Sequence, residues 1–329
     1  MISFFLKFKF IRNRLKFHFL HSYFNELQLT IPVGYGYNAR LLEPDSYDSF
    51  SEIFIQQEYT DFIPSEHISS VLDLGANFGY FSLWLQSKRP KDKIISTLIE
   101  PSKHCKRSLD KLLSDKEIYP NFNYVRGVIG DPKEQTMKFF DRPFMAGSVF
   151  DSSDNENFYH VKTLIPSDIF SSNRNSYDLI KCDIEGGEWD LLIHYPSILK
   201  NSKFLVMEWH SWHSGGGGFS QIEKKLTEIR FQIIKSSPPQ KAVGRDGEVG
   251  LFLAKNLNFQ TWRIMEKSLE EKVNFNLFFI HFIEPIHISF GLNTDGIVIL
   301  SCHLTCCPLI KKEIGLPWLI DWVHQEMPW

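Results

Sequence analysis

Cysteine is scarce: five in 329 residues, at positions 105, 182, 302, 306 and 307. An odd, irregularly spaced set does not build the disulfide framework of a small secreted fold, so a reducing, cytoplasmic setting is expected. A surplus of either charge is missing too. With 36 basic and 39 acidic side chains the formal net charge is −3, so nothing global attracts a phosphate backbone, and nucleic acid is not expected as a partner. No uninterrupted apolar run is long enough to span a bilayer. The composition, 43% apolar and 23% charged, excludes a disordered chain.

What is plentiful is phenylalanine, 29 residues of it. Many fall in the first 24 residues, MISFFLKFKFIRNRLKFHFLHSYF, together with Lys7, Lys9, Arg12, Arg14 and Lys16 and no acid before Glu26. The basic residues interrupt both a signal peptide and a spanning helix. Two readings stay open: a basic aromatic segment making peripheral contact with an anionic membrane, or an N-terminal helix packing its phenylalanines on the following domain.

From Val71 onward short apolar runs alternate with longer periodic ones, the pattern of a parallel sheet with crossover helices. Strands are expected at 70–74, 93–99, 123–129, 177–182 and 203–209, and helices at 78–87, 102–113 and 188–194. Further strands at 231–235 and 248–254 are joined by a short polar link, which implies an antiparallel pair at the sheet edge. Residues 136–164 read as an inserted flap. The expected organisation is an N-terminal segment 1–40, an α/β domain 41–256 and an extension 257–329 with a hairpin near Asn293–Gly296.

The stretch VLDLGANFGYFSL, Val71 to Leu83, is a strand-to-helix crossing rich in glycine and empty of lysine and arginine. At this crossing of a doubly wound sheet a cofactor approaches bare backbone. A dinucleotide fingerprint from Gly75 would need glycine where Asn77 and Tyr80 stand, and there is no G-K-[ST] of a P-loop. What the segment offers is acid: Asp73, and Glu100 closing the next strand. Carboxylates suit the ammonium, sulfonium and ribose diol of S-adenosylmethionine, and an acid at the end of the second strand can accept from both ribose hydroxyls. That position alone would also serve NAD. The failed glycine spacing favours the methyl donor.

With IEP about 20 residues after the glycine crossing, IKCDIEGGEWDLL at Ile180 to Leu192 and VMEWH at Val206 to His210, the chain resembles the FkbM-type S-adenosylmethionine-dependent methyltransferases. The resemblance starts near Leu42 and fades after Asn256, about two thirds of the chain. It implies a Rossmann-like class I methyltransferase fold with an antiparallel last strand. It also implies cofactor contacts from Asp73, Gly75, Asn77, Gly79 and Glu100, and a contact of Asp131 with adenine. Asp131 in VIGDP is equally readable as a turn residue.

Methyl transfer to a hydroxyl asks for alignment and for a base. Asp183 ends the fourth strand, and Glu208 and His210 share a face of the fifth. His210 is expected as the general base, with Asp183 or Glu208 orienting it or the substrate, since an unperturbed imidazole suits proton acceptance near neutral pH. The same trio would suit a divalent ion, but the usual paired-ligand spacings are absent and no metal is assigned. Glu185 and Glu188 are expected to cap the helix that starts near Gly187. Gly215 to Gly218 form either a lid or a slack connector, with Trp212 and His213 as candidate pocket residues. Cys302, His303, Cys306 and Cys307 match no usual zinc spacing.

The function expected is O-methylation of a small molecule or glycan. The rival readings are a non-catalytic binding or scaffold protein and an NAD(P)-dependent dehydrogenase.

Overall fold

The computed structural model describes residues 29–259 apart from 43–45, 116–120, 142–146, 150–157, 171–174, 214 and 243–245, together with residues 8, 11 and 12 and the strands 288–292 and 298–302. The chain divides into two compact units, Met1–Thr261 and Trp262–Trp329. Most of the basic aromatic segment 1–24, as well as His303, Cys306 and Cys307, lies outside the described residues.

The first unit is built on a sheet whose strands are β3 (Ser70–Leu74), β4 (Ile95–Ile99), β5 (Phe122–Val125), β8 (Tyr177–Cys182), β9 (Ser202–His210), β10 (Phe231–Ser236) and β12 (Glu248–Asn256). They stand in the order β10-β12-β9-β8-β3-β4-β5, with the two-residue β11 (Gln240–Lys241) beside β12. The pairs from β9 through β8, β3 and β4 to β5 are parallel. Strand β12 runs antiparallel to both β9 and β10. The chain winds outward from β3 first one way and then the other. This is a Rossmann-like, doubly wound α/β fold, with the antiparallel edge that the short polar link implied.

Helices cover both faces. On one side Val71 of β3 packs with Phe81 and Leu85 of α1 (Tyr80–Lys88) and with Leu109 and Leu112 of α2 (Lys103–Ser114). On the other side Leu72 and Leu74 meet Leu191 and Leu192 of α3 (Glu188–His194) and Ile222 and Leu226 of α4 (Phe219–Glu228). The split follows from the two-residue period of a strand, which sends neighbours to opposite faces. Helix α2 buries Cys105, Leu109 and Leu112, one stripe at helical spacing. Its first turn is capped by Ser102, which accepts from the backbone N–H groups of His104 and Cys105 at 3.0 and 3.3 Å.

Helix α1 is different: every residue from Tyr80 to Ser87 is buried. A preceding antiparallel pair, β1 (Leu29–Gly34) and β2 (Tyr37–Leu41), and the aromatic segment around Phe50 and Phe54 join the same core. The Tyr80 hydroxyl donates to the Arg40 carbonyl at 2.8 Å, tying helix to hairpin. Pro32 interrupts the first run and hides this pair in the sequence, since proline is confined to edge positions of a sheet.

Strand β5 ends at Val125, four residues earlier than expected, because Val128 leaves the main sheet to bridge Thr163. The flap contains a separate antiparallel pair, β6 (Thr136–Phe139) with β7 (Tyr159–Lys162). In the second unit β13 (Ile288–Leu292) pairs antiparallel with β14 (Val298–Cys302), around the expected turn. Among the described residues no helix is long and apolar enough to cross a membrane.

Candidate active site

A cavity of about 220 Å³ opens at the carboxyl ends of the parallel strands, lined by segments that follow β3, β4, β5 and β8 and by Glu208 near the end of β9. Ligands of doubly wound sheets bind at this end, where the winding reverses.

The glycine crossing forms one wall. Gly75 has φ +70°, and a Cβ there would stand 1.7 Å from the backbone oxygen of Asp183. Gly75 is therefore demanded by the close approach of β8, whereas the sequence reading ascribed it to a ligand. Gly79, at φ +76°, has the Leu112 side chain 2.9 Å from its missing Cβ, so it admits α2. The crossing is pinned to β4 because the N–H groups of Gly75 and Ala76 both donate to the Ile99 carbonyl at 3.0 Å. Its other side, Gly75 to Phe78, faces the cavity.

Glu100 lines the cavity, with one carboxylate oxygen accepting from Ser102 N–H and the other from Asn77 N–H, both at 2.8 Å. Burial raises its pKa to about 7 against the pull of those two amides. Asn77 holds φ +50°, and its side-chain oxygen accepts from the Cys105 thiol at 3.3 Å. Asp73 is placed differently. It is fully buried beneath the crossing and is not part of the lining; it accepts from the Ser82 hydroxyl at 2.7 Å and lies 3.8 Å from the Lys181 ammonium. Burial raises its pKa, opposed chiefly by Lys181.

Asp131 does not reach the cavity. Its carboxylate accepts from the Lys133 N–H at 3.0 Å, which makes it the turn residue of the alternative reading. The acid on that side is Asp141 from the flap, which lines the cavity and accepts from the hydroxyls of Ser102 and Tyr159 at 2.8 and 2.7 Å. No motif in the sequence marks Asp141.

The floor is acidic. Asp183, Glu185 and Glu208 are joined by Glu52 and Glu58, which the sequence reading passed over. Lys181, 4% exposed, sits among them, donating to the Gly75 carbonyl at 2.7 Å and to Asp183 at 3.3 Å. Burial works against its charge, yet Asp183, Asp73 and Glu208 together raise its pKa. Tyr59 donates to Glu208 at 3.3 Å. Burial, Asp183 and Glu58 raise the pKa of Glu208 well above the carboxylate range. Glu52 is pushed up to about 8 by burial, Glu58 and Asp183.

His210 departs from its expected role. It is 3% exposed and not part of the lining, with Nδ1 3.1 Å from Glu188, Nε2 3.9 Å from Glu208 and its ring 4.4 Å from that of Trp212. Burial opposes its charge, but Glu188, Glu185 and Glu208 outweigh that and raise its pKa to about 10. With its charged form favoured in this way, the imidazole is a poorer proton acceptor than an unperturbed histidine.

Glu188 also accepts from the N–H groups of Ile184 and Gly186 at 3.0 and 3.1 Å, holding the turn before α3. Glu185 lines the cavity, and its carboxylate joins Asp183 and His210 with one ligand atom each inside 4.8 Å. Trp212 donates to the Glu185 carbonyl at 2.9 Å and His213 approaches Asp190 at 3.3 Å. Neither lines the cavity.

Glu52 gives a pH test. Its folded pKa lies above its unfolded value, so the folded state holds an extra proton between about pH 4.5 and 8, and its contribution to stability falls as pH rises through that window. Glu52→Gln removes the titration. The variant should match the parent near pH 5 and melt several degrees higher at pH 8.5, each kcal/mol moving Tm by roughly 2–4 °C in a chain this large. Melting curves at the two pH values check this; an equal difference at both would contradict it.

No protein-family model and no curated protein matches the chain. Solved structures do. M. capricolum TrmK in complex with S-adenosyl-homocysteine is 10% identical, covering 62% of this chain and 68% of that one at a TM-score of 0.36. M. jannaschii TYW2 in complex with AdoMet is 12% identical over 70% and 88% at 0.37, and the mitomycin 7-O-methyltransferase MmcR 11% over 65% and 57% at 0.37. The fold assignment rests on the strand order itself.

Proposed function

We propose that this chain is an S-adenosylmethionine-dependent methyltransferase of the FkbM type, transferring a methyl group to a hydroxyl of a small molecule or glycan. The observation that carries the reading is the concentration of acidic side chains in the cavity. Among the described lining residues, Glu52, Glu58, Glu100, Asp141, Asp183, Glu185 and Glu208 face a single lysine, Lys181. Burial holds several of these groups toward the protonated form in the empty cavity; a cationic ligand draws them back to carboxylates and is favoured in return, whereas a phosphate gains nothing from them. The methyl donor is cationic, whereas NAD(P) carries phosphates, and so would a nucleic-acid acceptor.

Glu100 is the ribose anchor. A carboxylate has about four acceptor positions; Asn77 and Ser102 fill two, leaving two for the vicinal hydroxyls. Gly75, Ala76 and Phe78 support the cofactor's backbone side. Asp73 acts from beneath, holding Ser82 and Lys181, and Gly79 acts through packing.

The sulfonium then faces Asp183 and Glu208. An acceptor oxygen forms the bond to the methyl carbon as the carbon–sulfur bond breaks, its electron pair staying on sulfur, and the hydroxyl proton passes to a carboxylate. Glu208 takes that role in place of His210. Its pKa is raised in the empty cavity, and a bound cation draws it back toward the ionised form, so binding the cofactor prepares the base. His210 and Asp183 position it.

Calorimetric titration of the full chain with S-adenosylhomocysteine tests the reading. Saturable one-to-one binding is expected, with no heat from NAD, and Glu100→Ala should weaken it at least tenfold, given about 1.5–3 kcal/mol for a hydrogen bond to a charged group. Tighter binding of NAD than of S-adenosylhomocysteine would overturn it.

A further inference from the structure

We propose that Asp183, Glu185 and His210 form a binding site for one divalent metal ion at the floor of the cavity. The three side chains offer one ligand atom each, all within 4.8 Å of one another. Ligands about 2.1 Å from a common ion lie up to about 4.2 Å apart, so rotamer shifts of a few tenths of an ångström close the site. Two carboxylates and an imidazole suit Mn²⁺, Zn²⁺ or a similar ion.

A second, independent observation comes from the histidine. Metal-bound histidines almost always present one ring nitrogen to the ion and give the other to a carboxylate or carbonyl that fixes the ring. The Nδ1 atom of His210 is held by Glu188, itself 1% exposed and anchored by two backbone N–H groups of the turn carrying Glu185. Among the described residues its Nε2 makes no hydrogen bond, and Glu208 Oε1 stands 3.9 Å from it. Buried, fixed in orientation and with that nitrogen unspent, His210 has the arrangement of a ligand awaiting its ion. An ion there takes the place of the imidazolium proton.

The site adjoins Glu208 on the cavity floor. On the methyltransferase reading, on which this part rests, the ion would hold the acceptor oxygen in line with the methyl group and ease loss of its proton. Metal binding itself needs no cofactor and is tested apart from it.

The test is titration of the metal-free full chain with Mn²⁺, followed by electron paramagnetic resonance, beside a calorimetric titration of the same preparation with S-adenosylhomocysteine. One saturable Mn²⁺ per chain is expected, with spin-echo modulation from an imidazole nitrogen. Glu185→Gln should weaken Mn²⁺ binding at least tenfold while its melting temperature, which reports folding, stays within about 2 °C of the parent's, less than about 1 kcal/mol would move it. Glu223→Gln, on the exposed face of α4, should change neither. Absence of saturable Mn²⁺, absence of the imidazole signature, or undiminished affinity in Glu185→Gln would overturn the site. Mn²⁺ binding without S-adenosylhomocysteine binding would overturn the cofactor reading and leave the metal site standing; the reverse pattern would remove the metal alone.

Discussion

Gly75→Ala is expected to leave little folded protein. The added methyl group would lie 1.7 Å from the Asp183 carbonyl oxygen and 2.8 Å from its carbon, and both are backbone atoms that a side-chain rotation cannot move. Asp183 is held there by its N–H bond to the Leu74 carbonyl at 3.1 Å, the last rung between β3 and β8. The backbone at φ +70° adds a conformation that residues with a Cβ rarely adopt. Relieving the clash means parting the two central strands. The cost should exceed about 4 kcal/mol, the exceptional end of single substitutions, against a total stability of about 5–15 kcal/mol for a typical domain. Gly218→Ala is the control: its backbone is ordinary, and the nearest atom to a new Cβ is the Gln221 amide oxygen at 3.8 Å. Denaturant midpoints and soluble yield should separate the two. Equal stability of Gly75→Ala and the parent would mean that β8 does not approach the crossing as described.

Glu208→Gln should lower turnover by roughly 10²–10⁴-fold, the usual contribution of a positioned acid or base, while S-adenosylhomocysteine affinity changes less than threefold. The amide keeps the size of the carboxylate and the contact with Tyr59, so a folding defect is not expected. The pH profile discriminates further. If a carboxylate is the base, activity rises as that group ionises and holds at high pH; if His210 were the base, with its pKa near 10, activity would stay low until strongly alkaline pH. A Glu208→Gln enzyme with unaltered kcat would remove Glu208 from the proton path.

Much of the sheet was legible because its code is local. Val71, Leu72 and Leu74 form an apolar run bounded by glycine, and Glu188–His194 follows a helix start, so the central strands and α3 fall where periodicity places them. Glu100 was legible for the same reason: it closes a strand. The chemistry of the floor was not. Glu52 and Glu58 sit in EIFIQQEY, which carries no recognisable site motif, and a wide helical turn at Ser51–Gln56 ending in Gln57 at φ +59° carries both to the cavity. His210 reads as an ordinary base because its sequence neighbours do not reveal Glu188, 22 residues away, whose carboxylate holds the imidazole charged. Glu185 and Glu188 look alike before a helix, yet the first lines the cavity and the second holds His210. The glycine crossing shows the converse: its position was readable, while the reason for Gly75 lay on a strand more than 100 residues later.

The account stands on a cationic methyl donor lying between Glu100 and the acidic floor. A crystal structure of the chain with S-adenosylhomocysteine addresses this directly. The expected density places the ribose hydroxyls within hydrogen-bond distance of the Glu100 carboxylate and turns the sulfur toward Asp183 and Glu208. Density for the ligand elsewhere, or with its sulfur pointing away from those two carboxylates, would contradict it.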